Sequence, residues 1–174
     1  ICDFLFQVEE QVAASLAYSH VAFCKNPVVN ALIEYYYGIA QTQGTELQVR
    51  IDLPDPMPLT DVELCTVLGN LLDNAVEACS RQTKGKRRIL AVGEIRGNMY
   101  FLKIENTYDG LILPEEKTFR SRKGTAADHG IGLSSVRRIL ENHGGDLDLV
   151  PGEETFFVGI TIECPFISKS QCVI

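Results

Sequence analysis

Asn70, Asn74 and Glu77 stand at i, i+4 and i+7 in the stretch GNLLDNAVEAC, residues 69–79. On a helix that spacing stacks an amide, an amide and a carboxylate along one stripe. An asparagine can ligate a metal through its carbonyl oxygen and donate to a phosphate through its NH₂. Mg²⁺ takes few protein ligands and completes its shell with water and substrate phosphates, so one or two such amides would suffice near a polyphosphate. A polar stripe by itself also reads as a solvated helix face. Its company argues otherwise, because Leu64, Leu68, Leu71, Leu72, Ala75 and Cys79 recur at the 3–4 spacing of a buried face.

Two further groups are candidates for chemistry. Gly130-Ile131-Gly132 precedes a helical pattern, and glycines there let a ligand approach the backbone while first-turn N–H groups attract phosphate. Ser134 and Ser135 add hydroxyl donors. Taken alone, the motif also fits a loop that needs two positive-φ residues. Asn106 ends a strand pattern and is followed by Thr107-Tyr108-Asp109-Gly110; strand ends present binding groups, and asparagine also simply forms turns.

The elements that must position these residues follow from periodicity and punctuation. Leu5, Val8, Val12 and Leu16 mark residues 1–24 as helical. Asn26-Pro27 opens a second helix as N-cap and first residue, and Gly44 closes it. ELQVRIDL (46–53) alternates as a half-buried strand. Thr60 and Glu63 form a capping box at the head of the helix bearing the polar stripe, which runs to near Gly85. ILAVGEI (89–95) and MYFLKIEN (99–106) read as a hairpin turning at Arg96-Gly97-Asn98. Residues 107–129 carry no sustained period, and a loop of that length is usually functional. Val136, Ile139 and Leu140 define the helix closed by Gly144-Gly145, and DLDLV (146–150) and TFFVGITIE (155–163) are the last strands.

Composition narrows the class. The 174 residues are 45% hydrophobic and 22% charged, an ordinary globular balance for one domain. A net charge of -7 argues against wrapping nucleic acid or coating an anionic membrane. KGKRR (84–88) and RSRK (120–123) are local basic clusters suited to a smaller anion. Six cysteines, at 2, 24, 65, 79, 164 and 172, form no C-x-x-C and no metal-ligand rhythm with the three histidines. Cys65 and Cys79 read as small core residues, and a reducing cytoplasm fits best. No apolar run reaches the ~18 residues of a membrane span. Without a signal peptide or an initiator Met, the chain is expected to be a piece of something longer.

Polar helix, strand-end Asn then Gly, long loop and G-x-G helix occur in one order. That combination resembles the GHKL superfamily of ATPases, which takes in histidine kinases, gyrase-type topoisomerases, Hsp90-type chaperones and mismatch-repair ATPases. NLLDNAVEA resembles its N box, ENTYDG the first glycine box, HGIGLSSV the second, and ETFFVGITI the closing strand. The resemblance covers about residues 26–165. It implies a two-layer α/β sandwich of the Bergerat type, with a mixed, mostly antiparallel sheet and helices on one face. Asn70 stands where chaperones and topoisomerases carry a water-activating Glu, as it does in histidine kinases. That N box, the NPVVNAL helix start, the RSRKG run and the missing D-x-G-x-G resemble sensor kinases of the accessory-gene-regulator type.

The resemblance implies the following roles. Asn74 coordinates Mg²⁺ bridging the phosphates of ATP, and Asn70 contacts phosphate or its metal-bound water. Asn106 replaces the Asp that accepts the adenine amino group, and Gly110 lets the base approach. Lys123 reaches the distal phosphates, making it with Asn70 the catalytic pair. Gly130, Gly132 and Leu133 cradle phosphate, Thr155 contacts adenine, and Glu77 stands behind these.

The phosphoacceptor His such a kinase needs is not matched here. His20 precedes Val21-Ala22-Phe23 rather than an acidic residue, His129 adjoins the glycine motif, and His143 ends a helix. The expected organisation is a helical remnant of the dimerisation hairpin at 1–25, an ATP-binding catalytic domain at 26–166 and a tail at 167–174. Expected partners are an upstream acceptor-His domain, a response regulator and a second copy in the full protein. The expected setting is cytoplasmic, beneath a membrane-bound sensor, with no nucleic-acid or membrane contact by this piece. The alternatives are a GHKL serine kinase of the anti-sigma type and a degenerate docking module.

Overall fold

The computed structural model describes residues 23–110 and 131–164. Three expectations therefore lie largely or wholly outside the described residues: the helix expected over 1–24 with His20, the long loop expected over 107–129 with Lys123 and His129 together with the adjoining Gly130, and the tail at 167–174.

Asn26 caps helix α1 (Pro27–Thr42), its Oδ1 accepting from the Val28 and Val29 amides. Strand β1 (Glu46–Ile51) follows. Helix α2 (Asp61–Arg81) opens on the expected capping box, Thr60 accepting from the Glu63 amide and Glu63 from the Thr60 amide. Strands β2 (Arg88–Arg96) and β3 (Met99–Thr107) form the hairpin, turned by Gly97 at φ 64°. Helix α3 (Ile131–Asn142) leads into β4 (Asp146–Pro151) and β5 (Thr155–Glu163).

The sheet runs β1-β2-β3-β5-β4. Only β1 and β2 are parallel, with α2 as the crossover between them; every other pair is antiparallel. Alternation along the strands buries one face, with Leu47 and Ile51, Ile89 and Ala91, Tyr100, Leu102 and Ile104, and Phe156, Val158, Ile160 and Ile162 in the core. The helices cover that face, and α2 is central, packing on β3 and against both α1 and α3. The expected two-layer sandwich is the architecture found.

Two features depart from the reading of periodicity. Helix α2 stops at Arg81, short of Gly85, because the Gln82 carbonyl is held outside the helix by Arg87 Nε and Nη2 at 3.2 and 2.8 Å. Arg87 Nη1 also donates to the Gln43 carbonyl at 3.0 Å, tying the ends of α1 and α2 together. Cys65 is half-buried rather than core, since Leu64 and Leu68 take the sheet-facing positions and turn it toward α1.

Side-chain bonds set the tilt of the helices around α2. Tyr36 donates its hydroxyl to Asp73 Oδ1 at 2.7 Å, and burial followed by that carboxylate pushes the phenol well above its usual range. At the other end, His143 Nε2 lies 3.0 Å from Glu63 Oε1, linking the C-terminus of α3 to the N-terminus of α2. The His143 bond, then the bonds from Thr60, hold the Glu63 carboxyl down to about 2. A carboxyl depressed on folding contributes stability that is full above its ordinary value of 4.5 and is lost as pH falls toward 2. Glu63→Ala should therefore lower the melting temperature by about 3 °C at neutral pH, since a cap contributes roughly 1 kcal/mol. That deficit should shrink as thermal scans are repeated from pH 4.5 downward, and a deficit independent of pH would show the ionised pair to be idle.

Candidate functional site

The C-terminal half of α2, the ends of β3 and β5 and the start of α3 enclose a narrow slot. Its walls are Leu71, Asn74, Ala75, Ala78 and Arg81 from α2, Asn106 and Tyr108 from β3 and its exit, Leu133 from α3, and Phe156 and Val158 from β5. Asn74 reaches it because Leu71 and Ala75, on either side of it, are buried, which leaves the Asn74–Ala78 stripe at the edge of the core. Asn106 reaches it because it continues the buried alternation of Tyr100, Leu102 and Ile104.

Asn106 is only 4% exposed, a polar side chain where the strand pattern calls for an apolar one. Its Nδ2 donates to the Thr107 carbonyl at 3.0 Å. Tyr108 packs its ring edge-on against Phe156 at 5.9 Å and donates its hydroxyl to the Gly152 carbonyl at 2.6 Å. The cavity volume is about 10 Å³, room for one water. Anything larger than a water must therefore push side chains apart to enter between Ala78, Tyr108 and Phe156.

The residues singled out in the sequence divide between two places. Asn74, Asn106 and Leu133 converge on the slot. Asn70, one turn before Asn74, instead meets Gly132: a Cβ at Gly132 would lie 2.8 Å from Asn70 Oδ1. Asn70 Nδ2 donates to the Thr66 carbonyl at 2.7 Å, so the amide is oriented by its own helix. Glu77 is turned to solvent and pairs with Arg81 Nη1 at 3.0 Å. Gly110 takes φ 79°, a conformation that favours glycine. Thr155 pairs with Thr107 across the sheet and is on the face opposite Phe156 and Val158; it does not line the slot.

Sequence reasoning missed Ala78, Arg81, Tyr108 and Phe156. Ala78 and Arg81 continue the Asn74 stripe at i+4 and i+7, a signal that was present. Tyr108 and Phe156 needed the β3–β5 register, which pairs Asn106 with Phe156.

A wider groove, about 360 Å³, separates α1 from α2 and is lined by Val28, Leu32, Tyr35, Val62, Cys65 and Asn70 among others. It is mainly apolar and, of the residues singled out for chemistry, takes in only Asn70. Among the described residues, no three His, Cys, Asp or Glu side chains group as a metal site. A cation in the slot would thus depend on the Asn74 amide and on oxygens that a ligand brings. The half-buried Asn74 and the buried Asn106 fit a magnesium-bound nucleotide better than a bare metal ion.

The sequence pattern of the GHKL domain family matches residues 59–163. Sensor protein kinase CarS of Pseudomonas aeruginosa is 36% identical over 113 residues, 61% of this chain and 24% of that protein. Sensor protein CitS of Halalkalibacterium halodurans is 27% identical over 163 residues, 87% of this chain and 29% of that protein. The chain thus spans well under a third of the length of the curated relatives it matches. Of the solved structures, a nucleotide-free form of the catalytic domain of histidine kinase ThkA superposes with a TM-score of 0.59 at 20% identity, over 80% of this chain and 93% of that one. That likeness is one of fold.

The Gly132–Asn70 contact can be tested without any ligand. Gly132→Ala should cost about 1 kcal/mol by driving Cβ into the Asn70 amide. In an Asn70→Ala background the same change should become neutral or stabilising, because alanine is the better helix former. Denaturant unfolding of the four proteins in the cycle measures this, and an unchanged cost in both backgrounds would separate Gly132 from Asn70.

Proposed function

The chain belongs to the GHKL domain family, and on that footing we propose that it is the ATP-binding catalytic domain of a sensor histidine kinase. The observation that carries the reading is the convergence of Asn74 from α2 and Asn106 from β3 on one slot, beside Leu133 at the start of α3. Asn106 meets the base and Asn74 the phosphate-bound Mg²⁺, with the first turn of α3 at the phosphates. When bound, Mg²⁺ supplies charge neutralisation between the phosphates. The protein's own contribution is positioning, which is most of what in-line phosphoryl transfer asks of it.

The transfer goes to a protein rather than to water. Asn70 is an amide whose Nδ2 is already engaged with Thr66, so it cannot take a proton from an attacking water as a carboxylate would. Lys123 and Gly130 keep their roles in this proposal from the family resemblance. The finer assignment, to the accessory-gene-regulator type, rests on resemblance alone: the N box, the NPVVNAL helix start, the RSRKG run and the missing D-x-G-x-G. The relatives are named as sensor kinases, and this supports an acceptor-His domain and a response regulator as partners of a longer, dimeric protein. Among the described residues no helix is long and apolar enough to cross a membrane. We place this domain on the cytoplasmic side, where ATP is available.

Titration calorimetry tests the pocket. Asn74→Ala should weaken MgATP binding at least tenfold, about 1.4 kcal/mol, and leave the ligand-free melting temperature nearly unchanged. An equal loss of ligand-free stability would make Asn74 structural. Incubation with γ-labelled ATP tests the transfer. The chain as it stands should take no label, whereas the protein extended upstream through its acceptor helix should take acid-labile label. Acid-stable label on the extended protein would favour a serine kinase.

A further inference from the structure

Arg81 is the last residue of α2, seven positions beyond Asn74. It therefore stands on the same stripe about 10 Å further along the helix axis. It lines the slot together with Asn74, Ala78, Asn106 and Tyr108. Its Nη1 is held by Glu77 Oε1 at 3.0 Å, but its Nε is buried and, among the described residues, has no hydrogen-bond partner. A buried guanidinium N–H left unpaired is costly and is rare in native proteins.

A structural role explains only part of this. A cation in the last turn complements the helix dipole, and an i,i+4 pair with Glu77 supports the helix. Both need the charge and Nη1 alone, and a solvent-facing arginine would serve them equally well. Neither accounts for a buried Nε that has no acceptor among the described residues, on a side chain that lines the slot.

We propose that Arg81 is a nucleotide-contacting residue whose Nε–H awaits an acceptor on the nucleoside part of the ligand. This rests on the slot being the nucleotide pocket. Guanidinium donates and never accepts, so the ligand atom is a purine ring nitrogen or a ribose oxygen. Position selects the nucleoside over the phosphates. Arg81 shares the slot wall with Asn106 and Tyr108, and Asn74, assigned to the phosphates, is two turns away along α2. Glu77 orients the guanidinium from the solvent side, which gives that exposed carboxylate a positioning role.

Calorimetric competition with ATP, adenosine and magnesium tripolyphosphate tests the assignment on the full chain. Arg81→Met should weaken ATP and adenosine about tenfold and leave tripolyphosphate affinity unaltered. Arg81→Lys, which keeps the charge at the helix end but loses the fork, should recover only part of that loss. Both variants should keep a ligand-free melting temperature close to that of the unaltered chain. Unaltered ATP affinity in Arg81→Met would overturn the proposal and leave a helix-end ion pair. Equal weakening of tripolyphosphate would also overturn it, by making Arg81 a phosphate ligand. Failure of the unaltered chain to bind ATP would instead sink the nucleotide reading, and this assignment with it.

Discussion

Leu64, Leu68, Leu71, Leu72 and Ala75 are each 2% exposed or less, and they seat α2 on the buried face of the sheet. Each buried leucine contributes on the order of 2 kcal/mol of transfer free energy, and together they fix both the height and the rotation of the helix. Every other placement follows from that rotation. It turns Asn74 and Ala78 toward the ends of β3 and β5, Asn70 toward the first turn of α3, and Cys65 toward α1. A helix rotated by one residue, about 100°, would carry Asn70 and Asn74 into the core positions of Leu71 and Ala75 and Leu72 into the exposed position of Asp73.

Polar bonds then hold α2 at places away from the slot. The Glu63–His143 bond and the capping box secure its start, Tyr36–Asp73 secures its middle against α1, and Arg87 secures the chain where it leaves. The slot itself is left with groups that have hydrogen-bonding capacity to spare: a half-buried amide, a buried amide and an arginine Nε with no partner among the described residues. Buried polar capacity of this kind is costly in a ligand-free fold and becomes useful when a ligand supplies the complementary atoms. The slot's small volume, about 10 Å³, adds a second cost, because side chains such as Tyr108 and Phe156 must yield before anything larger than a water can enter.

Local rules made most of the fold legible. The Thr60–Glu63 box, the Asn26-Pro27 start, the Gly97 turn and strict alternation in β3 and β5 each depend on residues a few positions apart, and each is found where sequence placed it. The N-box spacing likewise located one side of the slot. What sequence left hidden depends on distant partners. The end of α2 is set by Arg87, whose third bond goes to a carbonyl 44 residues away. Asn70 and Asn74 look equivalent on a helical wheel, yet Asn70 meets Gly132 and borders the α1–α2 groove whereas Asn74 lines the slot. Tyr108 and Phe156 form a wall through strand register, and the same register puts Thr155 on the other face. None of these distinctions is visible in spacing along one segment.

One face of α2 builds the core, and the stripe beside it is proposed to build a nucleotide pocket. The most direct measurement is a backbone and side-chain amide NMR titration of the chain with MgATP. The largest shift changes should fall on Asn74, Ala78, Asn106, Tyr108 and Leu133, with Val28, Val62 and Cys65 of the α1–α2 groove nearly silent. Changes concentrated in that groove, with the slot residues unmoved, would contradict it.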